Sequence, residues 1–134
     1  MPFEVFPEDR GVYVKYYGHL TRGEAYRSLA TVHEHKSFDR FMYRINDSLD
    51  VRGHDLSEAD FMDEAAIVYG AEMSRRNRDQ ARFVAYVVKD SHNPIVQKIL
   101  SAMLVPFQTA TFSSVEAARS WIERKMRDAA QDVP

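Results

Sequence analysis

Two short runs of β-prone residues open the chain and predict a β-hairpin. Phe3–Phe6 and Val12–Tyr17 are separated by a segment that contains Pro7 and Gly11, which is typical of a turn between antiparallel strands. Apolar and polar side chains alternate along the second run. Because Gly18 follows it directly, we expect the second strand to end there.

Four helix starts follow the hairpin. Capping-box patterns at Thr21–Glu24, Asp55–Glu58 and Ser113–Glu116 place a hydroxyl or carboxylate three residues before a glutamate, so that side chain and backbone satisfy each other at the first turn. Asn93-Pro94 predicts another start, because asparagine caps well and proline suits the first helical position.

Strand-like runs alternate with these helices. We predict strands at Phe41–Ile45, ended by Asn46-Asp47-Ser48, at Phe83–Val88 and at Gln108–Phe112. Phe83–Val88 is apolar throughout, as expected for a central strand covered on both faces. The order β-β-α-β-α-β-α-β-α predicts one α/β domain, a five-stranded mixed and mostly parallel sheet with four helices. We place the domain at residues 1–128 and expect residues 129–134 to fray.

Composition narrows the classes of function. With 134 residues, 28% of them charged, and a net charge of −2, the chain fits one globular domain and lacks the positive excess of a nucleic-acid binder. It has no cysteine, which excludes disulfides and thiolate chemistry and suits the cytoplasm. Neither a signal-peptide pattern nor an apolar run near the roughly 20 residues of a transmembrane helix occurs, so we expect no membrane span.

The succession of elements, together with the closing run Phe112–Ile122, resembles the SpoIIAA-like branch of the STAS superfamily. Further matching stretches are Val12–Gly18, Ile45-Asn46-Asp47 and Ala81–Val88, so the resemblance spans nearly the whole chain. It implies a STAS/SpoIIAA-like fold and regulation through protein contacts. Some proteins of this branch are also similar in fold to lipid-binding CRAL-TRIO domains, which implies an apolar ligand as an alternative.

Ser57 is the residue that the resemblance singles out. In anti-sigma-factor antagonists a serine of an Asp-Ser-Ser/Thr-Gly loop at a helix start is phosphorylated to break a protein contact. This chain reads Gly53-His54-Asp55-Leu56-Ser57-Glu58 there, without the glycine after the serine. We interpret Ser57 as a capping or first-turn serine, with phosphorylation as the alternative.

Histidines provide the chemical hypothesis. His19, His54 and His92 each follow a predicted strand, and the carboxyl ends of parallel strands share the edge where open α/β sheets bind ligands. With Asp47, Asp50, Asp55 and Asp90 they would suit a divalent metal or acid/base chemistry, but solvated loop histidines are the default interpretation. We interpret His33-Glu34-His35 as surface, because residues two apart on a helix point in different directions.

The second predicted helix has more apolar residues than one core-facing side requires. We expect its core stripe at Met62, Ala65, Ala66, Tyr69 and Met73. Phe61, Ile67 and Val68 fall off that stripe, which indicates contact with a second copy, as a homodimer, or with another protein. A helix that is buried more widely than usual is the alternative interpretation. We interpret the arginines that follow, from Arg75 to Arg78, as a solvated helix cap.

The resemblance implies a regulatory or protein-interaction domain. We expect it to be non-enzymatic and without cofactor, since the sequence has no phosphate-binding glycine loop and no nucleophile elbow. The candidate interaction or ligand surface comprises His19, Asp47, His54, Asp55, Ser57, Phe61, Val68 and His92. A carrier of a small apolar or lipid-like ligand is the alternative, suggested by Tyr13, Tyr16, Tyr17, Phe61, Met62, Tyr69 and Met103. A metal-dependent hydrolase at the strand-end edge is the third hypothesis.

Overall fold

The computed structural model describes residues 2–75, 82–90 and 107–131, and all elements below lie in those ranges. In chain order they are β1 (Phe3–Pro7), β2 (Gly11–Leu20), α1 (Arg22–His33), a 3₁₀ turn (Phe38–Arg40), β3 (Tyr43–His54), α2 (Glu58–Met73), β4 (Arg82–Val87), β5 (Phe107–Phe112) and α3 (Val115–Gln131). The helix predicted after Asn93-Pro94 falls outside the described residues. Helix α3 continues past position 128, where we expected the chain to fray. None of the described helices is long and apolar enough to cross a membrane.

The five strands form one mixed sheet in the order β1-β2-β3-β4-β5. β1 is antiparallel to β2, and the other neighbours pair in parallel. The predicted sheet, with only the first strand antiparallel and β4 in the interior, is confirmed.

Strands β2 and β3 are longer than their sequence pattern indicated. β2 passes through Gly18, which has φ 72°, and ends at Leu20; β3 runs beyond Asn46-Asp47-Ser48 to His54. The pairing of β3 with β4 ends at Asp47, so the rest of β3 pairs only with β2. Residues 17–20 and 48–54 thus form a two-stranded extension, here called the strand arm. Because both faces of the strand arm are partly open to water, it tolerates the polar residues that indicated a loop.

One face of the sheet is covered by α3. Its buried core joins Ala118 and Ile122 of the helix to Ile45, Phe83, Ala85 and Val87 of the sheet. The Trp121 ring lies edge-on to the Phe83 ring, with 6.1 Å between centroids. Trp121 is thus partly buried and packs against the core.

Helix α1 packs on the opposite face, where Val12 and Val14 of β2 meet Val32 of the helix and Phe41. The predicted capping box is present at its start, since Thr21 accepts from the Glu24 backbone and the Glu24 carboxylate accepts from the Thr21 backbone. The start of α1 therefore follows the sequence pattern.

Helix α2 shares that face, but the predicted stripe is right only for Ala65 and the half-buried Tyr69. Ala65, Val68 and Glu72 face inward, whereas Met62 and Met73 are exposed. Val68 is only 5% exposed and belongs to the core, so it cannot be part of an interaction surface. The helix begins two positions later than its pattern suggested: Ser57 caps it and pairs with Asp60, not Asp55 with Glu58.

The end of α2 is fixed by buried charges, which corrects the solvated-cap interpretation of Arg75. The Arg75 guanidinium donates to both Glu72 oxygens, at 2.9 and 2.8 Å, and to the backbone carbonyl of Phe41. It also lies 4.6 Å from the centre of the Phe38 ring. Glu72 is in addition 3.5 Å from the Arg82 Nε, so one carboxylate joins α2 to β4. Arg76 and Arg78 lie outside the described residues.

Candidate functional site

The strand arm brings His19, His54 and Asp55 together. The register of β2 and β3 sets His19 opposite Gly53 and Leu20 opposite His54. The His19 Nε2 lies 2.7 Å from the Asp55 Oδ1, and these side chains are 57% and 59% exposed. Gly53 makes room for the imidazole, because a Cβ there would lie 3.2 Å from the His19 Nδ1. The result is a polar pair in water at the end of the sheet.

His54 is held in place by two neighbours. Its Nδ1 accepts a hydrogen bond from the Leu56 backbone at 3.1 Å, so in the neutral ring the proton sits on Nε2. The ring packs edge-on against Phe61, with centroids 5.5 Å apart. Phe61 is half-buried and packs against the small cluster of Leu20, Ala25 and Leu56. This contact connects the strand arm to the first turn of α2.

Ser57 is the N-cap of α2. Its hydroxyl accepts from the Asp60 backbone at 3.1 Å, while the Asp60 carboxylate accepts from the Ser57 backbone at 2.9 Å and lies 3.1 Å from the Arg22 Nε. The hydrogen bond from the Ser57 backbone to the Asp60 carboxylate is the largest cause of the lowered pKa of Asp60. The capping interpretation of Ser57 is confirmed, and the residue is exposed at the start of the helix.

Two of the sequence-predicted site residues lie elsewhere, and one lies outside the described ranges. Asp47 is 4% exposed and faces α3; it accepts from the Tyr13 hydroxyl and, at 3.1 Å, from the Leu49 backbone. Burial and this hydrogen bond raise the pKa of Tyr13. Val68 is in the core, as described above, and His92 is not among the described residues. Asp47 is therefore a structural group that satisfies buried donors inside the sheet.

Among the described residues, the strand arm has neither a cluster of metal ligands nor a histidine bonded to a hydroxyl nucleophile. Nowhere in residues 2–75, 82–90 and 107–131 do three or more His, Asp or Glu side chains gather as metal ligands would. Within the same ranges neither His19 nor His54 shares a hydrogen bond with a hydroxyl group, as a nucleophile and its base would. The His19–Asp55 pair thus has no adjacent nucleophile to activate.

An exposed apolar face runs along α2. Met62, Ile67 and Met73 are 46%, 42% and 38% exposed, and the exposed Ala66 and Gly70 lie between them. These five residues are here called the α2 face. Sequence reasoning missed its orientation because α2 is apolar on more than one side. The positions of two acidic residues could have indicated the orientation of α2, because Asp60 and Glu72 face inward and each pairs with an arginine.

Two half-buried titratable groups were also missed. Burial is the largest cause that lowers the pKa of His33 to about 3, and Arg44, whose guanidinium donates to the His33 Nε2 at 3.0 Å, adds to it. His33 is therefore a neutral acceptor and not the surface residue that we expected. Glu64 on α2 has its pKa raised to about 7, mainly by burial and then by the charge of Asp60. His33 belongs to α1 and Glu64 to α2, so neither group is part of the strand arm.

In the described part of the chain, the cavity between the sheet and α2 is too small for a lipid-like ligand. The cavity there, beside Val32, Val68 and Arg44, has a volume of about 20 Å³. Pockets for small organic ligands usually measure roughly 300–1,000 Å³. A cavity of this size holds about one water molecule.

Two solved structures share the architecture. An uncharacterized protein from the DUF3478 family with a SpoIIAA-like fold, from Shewanella loihica PV-4, has a TM-score of 0.58 and 11% sequence identity over 89% of this chain and 90% of its own. The anti-sigma factor antagonist SpoIIAA in its unphosphorylated form has a TM-score of 0.57 and 10% identity over 91% of this chain and 97% of its own. Neither a family model nor a curated protein matches the chain. The chain thus has a SpoIIAA-like fold, which confirms the resemblance of the sequence at the level of fold.

Proposed function

We propose that this SpoIIAA-like domain is a non-enzymatic regulator that binds a protein partner through the α2 face and the adjoining end of the strand arm. The α2 face is the observation that carries the proposal. Exposed apolar side chains grouped on one helix cost solubility and are characteristic of interaction sites. A cytoplasmic location belongs to the proposal, because a chain without cysteine suits a reducing compartment.

Polar groups border the α2 face as the rim of an interface would. The exposed carboxylates of Asp55, Glu58 and Asp63 lie at the N-terminal end of the helix, and His19 pairs with Asp55 beside them. Interfaces commonly combine an apolar centre, in which methionine is enriched, with a polar rim. We expect a partner that sets apolar side chains against Met62 and Ile67 and a cationic group against the acidic rim.

The fold comparison supports a protein as the partner. An anti-sigma factor antagonist acts on another protein, and SpoIIAA has that role on the same fold. At 10% identity this likeness concerns the fold, so the choice of partner must come from the surface of this chain. We propose a partner other than a second copy, and self-association is a separate outcome of the test.

The proposal is tested by affinity purification from the native host with charge introduced on the α2 face. Met62→Glu and Ile67→Glu should lose the partner, because a carboxylate would be buried in an apolar contact. Ala117→Glu is the matched control, since Ala117 is exposed near the start of α3 and its change adds the same charge on another helix. Retention of the same partner by Met62→Glu and Ile67→Glu would refute the proposal.

Sedimentation at micromolar concentration distinguishes the two kinds of partner. The proposal predicts a monomeric purified chain. A dimer that Ile67→Glu dissociates into folded monomer would show that the α2 face binds a second copy, and the hetero-partner part of the proposal would be wrong.

A further inference from the structure

A second surface feature lies on the other side of the strand arm. An open cavity of about 470 Å³ lies between the strand arm and the residues directly after β4. It is lined by Tyr17, Gly18, Leu49, Asp50, Arg52 and Lys89. It lies at the carboxyl ends of three parallel strands, which is the edge where open α/β sheets commonly bind ligands. Its volume is within the range of small-molecule sites.

The charge of this cavity is positive. Among the described residues neither Arg52 nor Lys89 has an ion pair or a hydrogen bond to its side chain. Asp50 is the one carboxylate of the lining, and its Oδ2 lies 3.2 Å from the Lys15 Nζ, which neutralises it from outside the cavity. Two cations therefore remain for an anion.

The pairing of the strands explains how Arg52 comes to line the cavity. Gly18 pairs with Val51 and the next residue, His19, pairs with Gly53, so Arg52 is an extra residue in β3. Such a bulge changes the direction of a side chain relative to the regular alternation. Gly18, opposite the bulge, has φ 72° and no atom within 4 Å of the place where a Cβ would be. The glycine thus fits the irregular backbone and leaves the cavity open above it.

Two apolar side chains complete the site. Tyr17 lines the cavity with its hydroxyl engaged elsewhere, because that group donates to the Glu4 carboxylate at 3.1 Å. Leu49 reaches the edge of the core under α3. A ligand that satisfies both kinds of lining has an anionic group joined to an apolar body.

We propose that this cavity binds a small organic anion, with its carboxylate or phosphate group held by Arg52 and Lys89 and its apolar body against Tyr17 and Leu49. This site is separate from the α2 face and does not depend on the proposed function. Guanidinium and ammonium groups both bind such oxyanions, the guanidinium with two parallel hydrogen bonds.

The test is an NMR titration of the full chain with four probes. Phenyl phosphate and benzoate should give saturable shifts of the Tyr17, Gly18 and Arg52 amides, with Kd values on the order of 1 mM. Inorganic phosphate, which lacks the apolar body, should bind several-fold more weakly, and neutral benzyl alcohol should give no saturable shift. Phenyl phosphate and benzoate together determine which oxyanion is preferred.

Exposed-charge variants make the test specific. Arg52→Gln and Lys89→Gln should each raise the Kd roughly fivefold, a loss expected for a partly exposed charge-assisted contact. Arg124→Gln removes an equally exposed arginine on α3 and should leave the Kd unchanged. The proposal is wrong if neither phenyl phosphate nor benzoate saturates by about 10 mM. It is also wrong if Arg124→Gln weakens binding as much as Arg52→Gln, or if inorganic phosphate binds as tightly as phenyl phosphate.

Discussion

Two glycines differ in the space around them, so the same substitution should have opposite effects. At Gly11 a Cβ would lie 2.3 Å from the Tyr43 ring, whose hydroxyl is fixed by donation to Glu8. At Gly70, inside α2, a Cβ would meet no atom within 4 Å. We expect Gly11→Ala to lower the free energy of unfolding by about 1–3 kcal/mol through overpacking, and Gly70→Ala to raise it by about 1 kcal/mol through helix propensity. Urea denaturation of both variants measures this; equal signs would contradict it.

Glu64 should make stability depend on pH. The pKa of Glu64 is about 7 in the folded chain, and its ordinary value is 4.5. Below about pH 4.5 the carboxyl is protonated in both the folded and the unfolded chain, so it does not lower the free energy of unfolding. The free energy of unfolding should fall as the pH rises from about 4.5 to about 7, since the unfolded chain releases this proton first. Glu64→Gln should therefore gain roughly 2 kcal/mol over the natural chain near pH 8 and nothing near pH 4.

Denaturation of both chains at the two pH values isolates this effect. Every other carboxylate titrates in both chains, so the difference between them reports Glu64. A difference that does not change with pH would show that Glu64 is as hydrated as in the unfolded chain.

At the scale of elements, Ser57 sets where α2 begins. Ser57→Ala removes the acceptor for the Asp60 backbone and should lower the free energy of unfolding by about 1 kcal/mol. Ser57→Asp should keep most of that stability, because aspartate caps as well as serine. Thermal denaturation of the two variants provides the comparison; equal losses would mean that the capping hydrogen bond contributes nothing.

Helices α1 and α3 were predictable from sequence, and the orientation of α2 was not. In α1 and α3 apolar residues occupy one stripe, as Leu29 and Ile122 show, so periodicity gives the buried side. In α2 Met62 and Val68 lie on different sides and are equally apolar, so periodicity alone does not decide between them. Packing decides: Glu72 must face inward to meet Arg75 and Arg82, and this places Val68 inside and Met62 outside.

The strand arm was missed for a related reason. A strand paired on one side and open to water carries polar residues such as Asp50 and Arg52, which in sequence also indicate a loop. Only the pairing of β2 with β3, a long-range property, distinguishes the two. The same pairing brings His19 beside Asp55. The sequence indicated that both residues follow strands at one edge of the sheet, but it did not give the distance between them.

For the whole molecule, the order of elements was sufficient to predict the mixed sheet and its antiparallel first strand, because parallel neighbours require crossovers of helical length. The order of elements did not predict which residues form a site. Asp47 and Val68 are buried only because of tertiary packing, and their sequence neighbourhoods do not distinguish them from exposed residues. The Asp47 carboxylate accepts a hydrogen bond from the Tyr13 hydroxyl. A carboxylate that follows an apolar strand pattern is therefore buried here and has a structural role.

The central claim is that the α2 face contacts a protein partner in the cell. A photo-crosslinking side chain at position 67, on the α2 face, and at position 117, on α3, tests this directly in the native host. We predict a crosslinked product of one defined mass from position 67, lost when Met62→Glu is added, and none from position 117. Equal products from both positions, or no product from position 67, would contradict the claim.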